Sequence, residues 1–261
     1  MTRGERKLRL AGVRVLVTRP RERSQELCFL LEDEGAQVFS LPLLEFLPPE
    51  DERPLRCAAE QIHQYGWIAF ASPLAVRALV AAVRQAGTLE RLERLKLAAV
   101  GPGTASELAA HNLSVAKQAQ LHTGAGLAQA LVGSMGTDEQ VLIPAAQEGR
   151  PELEDALRAA GIRVVKVAAY RSQPRSVDLA ALRELASDPP QVVLFGSPRT
   201  VQAFFDLASS DDASGLKRAK FVAIGPTTAA ALDRLGVAPA AVAERPTSEA
   251  LVDAAVRASS G

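Results

Sequence analysis

The 261-residue sequence holds only two cysteines, Cys28 and Cys57, and three histidines, His63, His111 and His122. Two cysteines in different segments make no disulfide framework, and both read as reduced, buried thiols. The histidines are too scattered for a metal-binding spacing, so no metal is expected and each reads as a surface or packing residue. An excess of one charge is missing too, because 30 Lys plus Arg balance 30 Asp plus Glu. A neutral chain has no global field for nucleic acid or an anionic membrane, so neither is an expected partner and any anion must be bound locally. Long apolar runs are also lacking. Arg14 interrupts the first apolar stretch of "MTRGERKLRLAGVRVLVTRP" before it reaches the length of a signal-peptide core, and nothing later approaches a membrane span. The cytoplasm is the expected location. Common nucleotide and hydrolase motifs are absent as well. "VTRPRERS" stands where G-x-G-x-x-G would follow the first strand, no G-x-x-x-x-G-K-[ST] occurs, and "GPGTAS" is not a G-x-S-x-G elbow.

What the chain does contain is repetition. "VRVLVTRP" at 13–20, "RERSQELCFLLEDEG" at 21–35 and "AQVFSLPL" at 36–43 match "EQVLIPAA" at 139–146, "RPELEDALRAAG" at 150–161 and "IRVVKVAAY" at 162–170. Each set reads strand, helix, strand, with Gly35 and Gly161 closing the helices. "WIAFASPLAVRALV" at 67–80 matches "VVLFGSPRTVQAFF" at 192–205, and "LKLAAVGPGTASELAAHNLSV" matches "AKFVAIGPTTAAALDRLGV". Last come "TGAGLAQALV" and "TSEALVDAAV", two further helix starts. Apolar strands alternating with helices predict α/β units with parallel sheets covered on both faces. Pro-rich breaks, "LPLLEFLPPEDERP" and "YRSQPRS", fall at one phase of the repeat. They suggest that the chain crosses between two domains twice, in an interleaved arrangement; a tandem split near residue 136 is the other division open at this point.

In "FASP" and "FGSP", Ser72 and Ser197 fit the N-cap and the following proline fits the first helical position. In "VGPGTASEL" and "IGPTTAAAL", glycine permits a tight turn and Thr104 or Thr227 is placed to cap, Thr104 to Glu107 having capping-box spacing. All four turns fall beyond the carboxyl ends of strands, where ligands of open parallel sheets gather. Helix N-termini there offer unpaired N–H groups and partial positive charge, suited to carboxylate or phosphate. Tyr170 stands where a strand leaves for a connection. It reads either as an ionisable candidate or as a half-buried residue packing the linker.

Taken in order, "VLVTRP", "FASP", "GPGTASEL", "AAYRSQP", "FGSP", "AIGPTTAAAL" and "RPTSEALVDA" resemble the uroporphyrinogen-III synthase family over nearly the whole chain. The resemblance implies two similar parallel-sheet α/β domains in an interleaved repeat, joined by a two-stranded ladder, with the active site in the cleft between them. It selects the interleaved division: residues 1–42 with 175–261, an inserted domain over 50–168, and connecting strands at 43–49 and 169–174. It implies closure of linear hydroxymethylbilane to uroporphyrinogen III, with loss of water and inversion of the last ring, and no cofactor. The implied partners are that linear tetrapyrrole and, transiently, the upstream synthase, and the implied state is a monomer. Tyr170 is the implied assisting acid. Arg19, Ser72, Gly101, Thr104, Ser197, Gly225, Thr227 and Thr228 are the implied substrate contacts, Arg19 by pairing with a carboxylate.

One departure stands out. Relatives often carry an Arg- and Gly-rich turn where this chain has Ala145 and Ala146, with Arg150 the nearby basic residue. Two other readings stand beside the enzyme: a non-catalytic anion-binding or regulatory protein of the same fold, from which Tyr170 with its linker is the distinguishing feature, and a nucleotide-sugar transferase, for which the chain lacks a basic phosphate clamp or an acidic metal motif.

Overall fold

The computed structural model describes residues 8–19, 24–136 and 139–260; Pro20 of "VLVTRP" lies outside them. The first elements are β1 (Arg14–Val17), α1 (Gln25–Asp33), β2 (Gln37–Ser40), β3 (Leu44–Leu47) and α2 (Arg53–Glu60). Next come β4 (Trp67–Phe70), α3 (Pro73–Gln85), α4 (Leu89–Leu92), β5 (Lys96–Ala99), α5 (Pro102–Ala110), β6 (Lys117–Gln118) and α6 (Gly124–Val132). They are followed by β7 (Gln140–Ala146), α7 (Glu152–Ala159), β8 (Arg163–Pro174), α8 (Leu179–Ser187), β9 (Val192–Phe195) and α9 (Pro198–Leu207). The last are β10 (Lys220–Ala223), α10 (Pro226–Arg234), β11 (Ala241–Val242) and α11 (Ser248–Ser260).

The chain divides into two compact units, one discontinuous (Met1–Glu45 with Pro174–Gly261) and one inserted (Phe46–Gln173). It passes from one to the other within β3 and at the end of β8, and these strands are neighbours in the sheet. The tandem alternative fails because β7 and β8, which follow residue 136, join β4 to β6 in one sheet.

The discontinuous unit has the strand order β2-β1-β9-β10-β11, and the inserted unit has β8-β7-β4-β5-β6 with β3 added at the edge. Given the sequence matches, the two orders are the same element for element, although the chain enters them at different points. All neighbours within these five-strand sets are parallel. Apolar runs make this possible, because such strands bury both faces. In β1, Val15 and Val17 face one core layer and Leu16 the other. In β4, Ile68 and Phe70 face one layer, and Trp67 and Ala69 the opposite one. Helices α1 and α11 cover one face of the discontinuous sheet, while α8, α9 and α10 cover the other. In the inserted unit α2, α3 and α5 lie on one face and α6 and α7 on the other.

Gly35 and Gly161 have φ of +88° and +78°, the left-handed conformation that ends α1 and α7. Cys28 is buried as expected, but Cys57 is exposed; the two are not joined by a disulfide. On α2 it is Leu55, Ala58 and Ala59 that point inward. No helix among the described residues is long and apolar enough to cross a membrane.

Candidate functional site

In each sheet the strand order reverses direction at one place, between β1 and β9 and between β7 and β4. Connections leave a reversal point on opposite faces, which opens a crevice at the carboxyl ends of the two strands. Continuing the two registers past the strand ends sets Thr18 and Arg19 opposite Phe195 and Gly196, and Ala145 and Ala146 opposite Ala71 and Ser72.

At the first of these points Thr18 is buried and its hydroxyl donates to Leu194 O at 2.9 Å, tying the strand ends together. Arg19 Nη2 donates to Gly196 O at 3.1 Å, and Ser40 Oγ donates to Arg19 O at 2.9 Å. Ser197 is extended, with φ −167° and ψ 158°, and caps α9 by accepting the Thr200 amide at 3.3 Å. Thr200 returns the bond by accepting the Ser197 amide at 3.2 Å, a reciprocal box with threonine in the third position. A cavity of about 120 Å³ opens beside Arg19, lined also by Ser24, Glu26, Ile224, Thr247 and Ser248. Glu26 is held there by the Ser248 hydroxyl at 2.7 Å.

At the second point Ser72 caps α3, accepting the Ala75 amide at 3.2 Å, with Pro73 at the first helical position. Its oxygen is also 3.2 Å from the Tyr170 hydroxyl. Tyr170 pairs with Ala146 in the β7–β8 ladder, and β4 lies beyond β7, so this bond spans the alanine end of the intervening strand. The tyrosine ring is half-buried and meets Phe46 edge-on, with centroids 6.0 Å apart and planes at 68°. Hydroxyl and ring are thus both oriented, one by a helix cap and one by an aromatic edge.

The glycine turns behave differently from the expectation. Gly101 and Gly225 are themselves the N-caps of α5 and α10, both extended, and neither helix has a side-chain cap. Thr104 and Thr228 lie one turn in and are 3% and 1% exposed, while Thr227 is exposed. Thr104 and Thr227 therefore do not cap. Glu107 does not complete a box either, because tertiary structure gives it a stronger partner. Arg77 on α3 binds it bidentately, Nε to Oε1 at 2.8 Å and Nη2 to Oε2 at 2.6 Å. The guanidinium holds the Glu107 carboxyl below its ordinary pKa. This pair joins α3 to α5, so the turns at Ser72 and Gly101 are held in register.

The sequence model of the family described as uroporphyrinogen-III synthase HemD matches residues 25–253. The chain belongs to that family. A rice uroporphyrinogen-III synthase, the chloroplastic protein of Oryza sativa subsp. japonica, is 30% identical over 85% of this chain and 73% of its own length. The uroporphyrinogen-III synthase of Synechococcus elongatus is 29% identical over 84% of this chain and 85% of its own. Among solved structures, uroporphyrinogen-III synthetase from Helicobacter pylori superposes with a TM-score of 0.67 at 20% identity, covering 94% of this chain and 98% of that one. At that identity the likeness establishes the two-domain fold alone. Membership in the uroporphyrinogen-III synthase family places the chain among the enzymes of tetrapyrrole biosynthesis.

Ala145 and Ala146 are where Tyr170 crosses toward Ser72. Arg150 is turned to Glu152, at 3.2 Å. Three residues of this candidate site escaped sequence reasoning. Phe46 and Arg77 carry no local signature, since each acts through a partner distant in sequence. Gly196 did leave a signal, because its twin in the repeat is Ala71.

Proposed function

We propose that the protein is a hydro-lyase that closes linear hydroxymethylbilane to uroporphyrinogen III, with loss of water and inversion of the last ring. The observation that carries this reading within the family is the oriented Tyr170 hydroxyl at a strand-reversal point. The reaction asks little conventional catalysis of the protein. Electrons from the pyrrole nitrogen break the bond between the hydroxymethyl carbon and its oxygen, leaving an azafulvenium-like cation. Tyr170 donates a proton to the departing oxygen, which leaves as water. The substituted carbon of the last ring attacks the cation through a spiro intermediate, and fragmentation and reclosure invert that ring. The proton released when the last pyrrole regains aromaticity restores the tyrosine.

Holding a flexible polycarboxylate in the attacking geometry is the larger task. Arg19 takes one carboxylate, its arm entering the adjoining cavity. Ser72, Ser197, Gly101 and Gly225 contribute through the amides and hydroxyls of their turns, and Thr227 through its exposed hydroxyl. Thr104 and Thr228, buried behind those turns, act by shaping them. The protein works as a cytoplasmic monomer and takes its substrate from the upstream synthase.

The test is to generate hydroxymethylbilane with that synthase, add the protein, oxidise the products and separate the porphyrin isomers. The expected product is the type III isomer. Type I alone, the product of spontaneous closure, would overturn the enzyme reading.

A further inference from the structure

The two copies of the repeat differ at one facing pair of positions. The β1–β9 ladder runs Val15↔Val192, Leu16↔Val193, Val17↔Leu194, and its continuation sets Arg19 level with Gly196. The β4–β7 ladder runs Trp67↔Val141, Ile68↔Leu142, and its continuation sets Ala145 level with Ala71. Arginine faces glycine in one unit, and alanine faces alanine in the other.

Gly196 does not have the positive φ that favours glycine. Its twin Ala71 shows that the same turn accepts a side chain. Space explains the glycine instead. A Cβ built on Gly196 would fall 2.5 Å from Arg19 Nε and 2.6 Å from both Cζ and Nη2. The guanidinium therefore lies directly against the Gly196 α-carbon, and its Nη2 also bonds the Gly196 carbonyl. The atoms that a methyl group would meet are the far end of a flexible side chain, so the methyl would displace the guanidinium and leave the turn in place.

We propose that Gly196 is a positioning residue, the seat that fixes the Arg19 guanidinium for a substrate carboxylate, and that this exchange confines guanidinium recognition at the reversal points to the discontinuous unit. In the inserted unit, Ala71 and Ala145 leave the corresponding point to the neutral Ser72 and Tyr170 hydroxyls. The proposal rests on the reading that Arg19 binds a carboxylate of the tetrapyrrole.

A double-mutant cycle on hydroxymethylbilane kinetics tests it. Gly196→Ala is expected to raise KM by about tenfold, on the order of one charge-assisted contact, with kcat within about twofold and an unchanged melting temperature. Arg19→Ala is expected to raise KM comparably, and adding Gly196→Ala to it should change KM by less than about twofold, since there is no guanidinium left to displace. Should Gly196→Ala alone fold poorly while the double variant, which reproduces the alanine pair of the twin, folds well, mutual exclusion of methyl and guanidinium is established directly. Independent, multiplying effects would overturn the seat. So would a normal KM for Gly196→Ala beside a raised KM for Arg19→Ala, and that result would leave the carboxylate reading standing. A normal KM for Arg19→Ala would remove the carboxylate reading and the seat together, while type III product formation would still identify the enzyme.

Discussion

The hydroxyls of Tyr170 and Ser72 stand 3.2 Å apart, and the serine oxygen also accepts the amide of Ala75 in the first turn of α3. A residue that caps a helix thereby holds the hydroxyl that we propose protonates the leaving oxygen. Cap and site are one structure here: the serine is fixed because the helix needs it, and the tyrosine is fixed because the serine is.

Tyr170→Phe should lower kcat by about 100-fold, the lower end of the range for general acid catalysis, because expulsion by the pyrrole proceeds without help. The ring should remain against Phe46, so the melting temperature should hold. Steady-state kinetics with isomer analysis gives the answer. Wild-type turnover would remove the tyrosine from the mechanism.

Ser72→Ala removes two things at once, the cap and the partner of Tyr170. Loss of a serine cap costs about 1 kcal/mol, visible as a melting point lower by a few degrees. Ser72→Asn keeps a capping oxygen and should recover that stability, yet it replaces the hydroxyl facing Tyr170. If the serine orients the tyrosine, kcat stays depressed in the asparagine variant while stability returns; recovery of both together would reduce Ser72 to a cap.

Much of this arrangement was legible in the chain. The apolar strand runs and the matched segments carried the α/β class, the parallel sheets and the Ser-Pro helix starts, because a cap and a buried strand are set by residues within a few positions. Glu107 marks the limit of such reading. Its spacing from Thr104 satisfies a local rule, but Gly101 already starts the helix and Arg77, a turn into another helix, offers a bidentate charge partner. Cys57 fails for a similar reason, since the packing of α2 chooses Leu55, Ala58 and Ala59 for its inner face. Gly196 was visible only as a difference between twins, and its meaning required knowing that Arg19 lies across the ladder from it.

The Arg77–Glu107 pair makes a prediction in pH. The Glu107 carboxyl is held below its ordinary value of 4.5 chiefly by hydrogen bonds from Arg77. A depressed carboxyl contributes stability at pH above its unfolded value, and that contribution fades as pH falls through the lower folded value. Because the Arg77 side chain is half exposed, the pair should be worth about 0.5–1 kcal/mol. Glu107→Gln should therefore lower the urea midpoint at neutral pH and converge on the wild type in acid. A gap that persists unchanged at pH 3 would assign the loss to packing.

The opposite end of the inserted sheet supplies a control. Trp67 opens β4, Lys96 opens β5 and Glu139 precedes β7, all at the amino ends of strands and away from the turns. The Glu139 carboxylate accepts the indole N–H of Trp67 at 3.1 Å, the Gly136 amide at 2.9 Å and Lys96 Nζ at 2.9 Å, while the lysine sits 5.3 Å from the indole centroid. Three donors converging on one carboxylate bind three strand starts, and removing its charge leaves a nearly buried indole N–H with a weaker acceptor. Glu139→Gln should cost about 1 kcal/mol and shift the emission of Trp67, the sole tryptophan of the chain, with kcat and KM unchanged. Conserved chemistry with reduced stability would separate the end of the sheet that holds the fold from the end that carries the reaction. A fall in kcat matching that of Tyr170→Phe would contradict the placement of the site at the carboxyl ends of the strands.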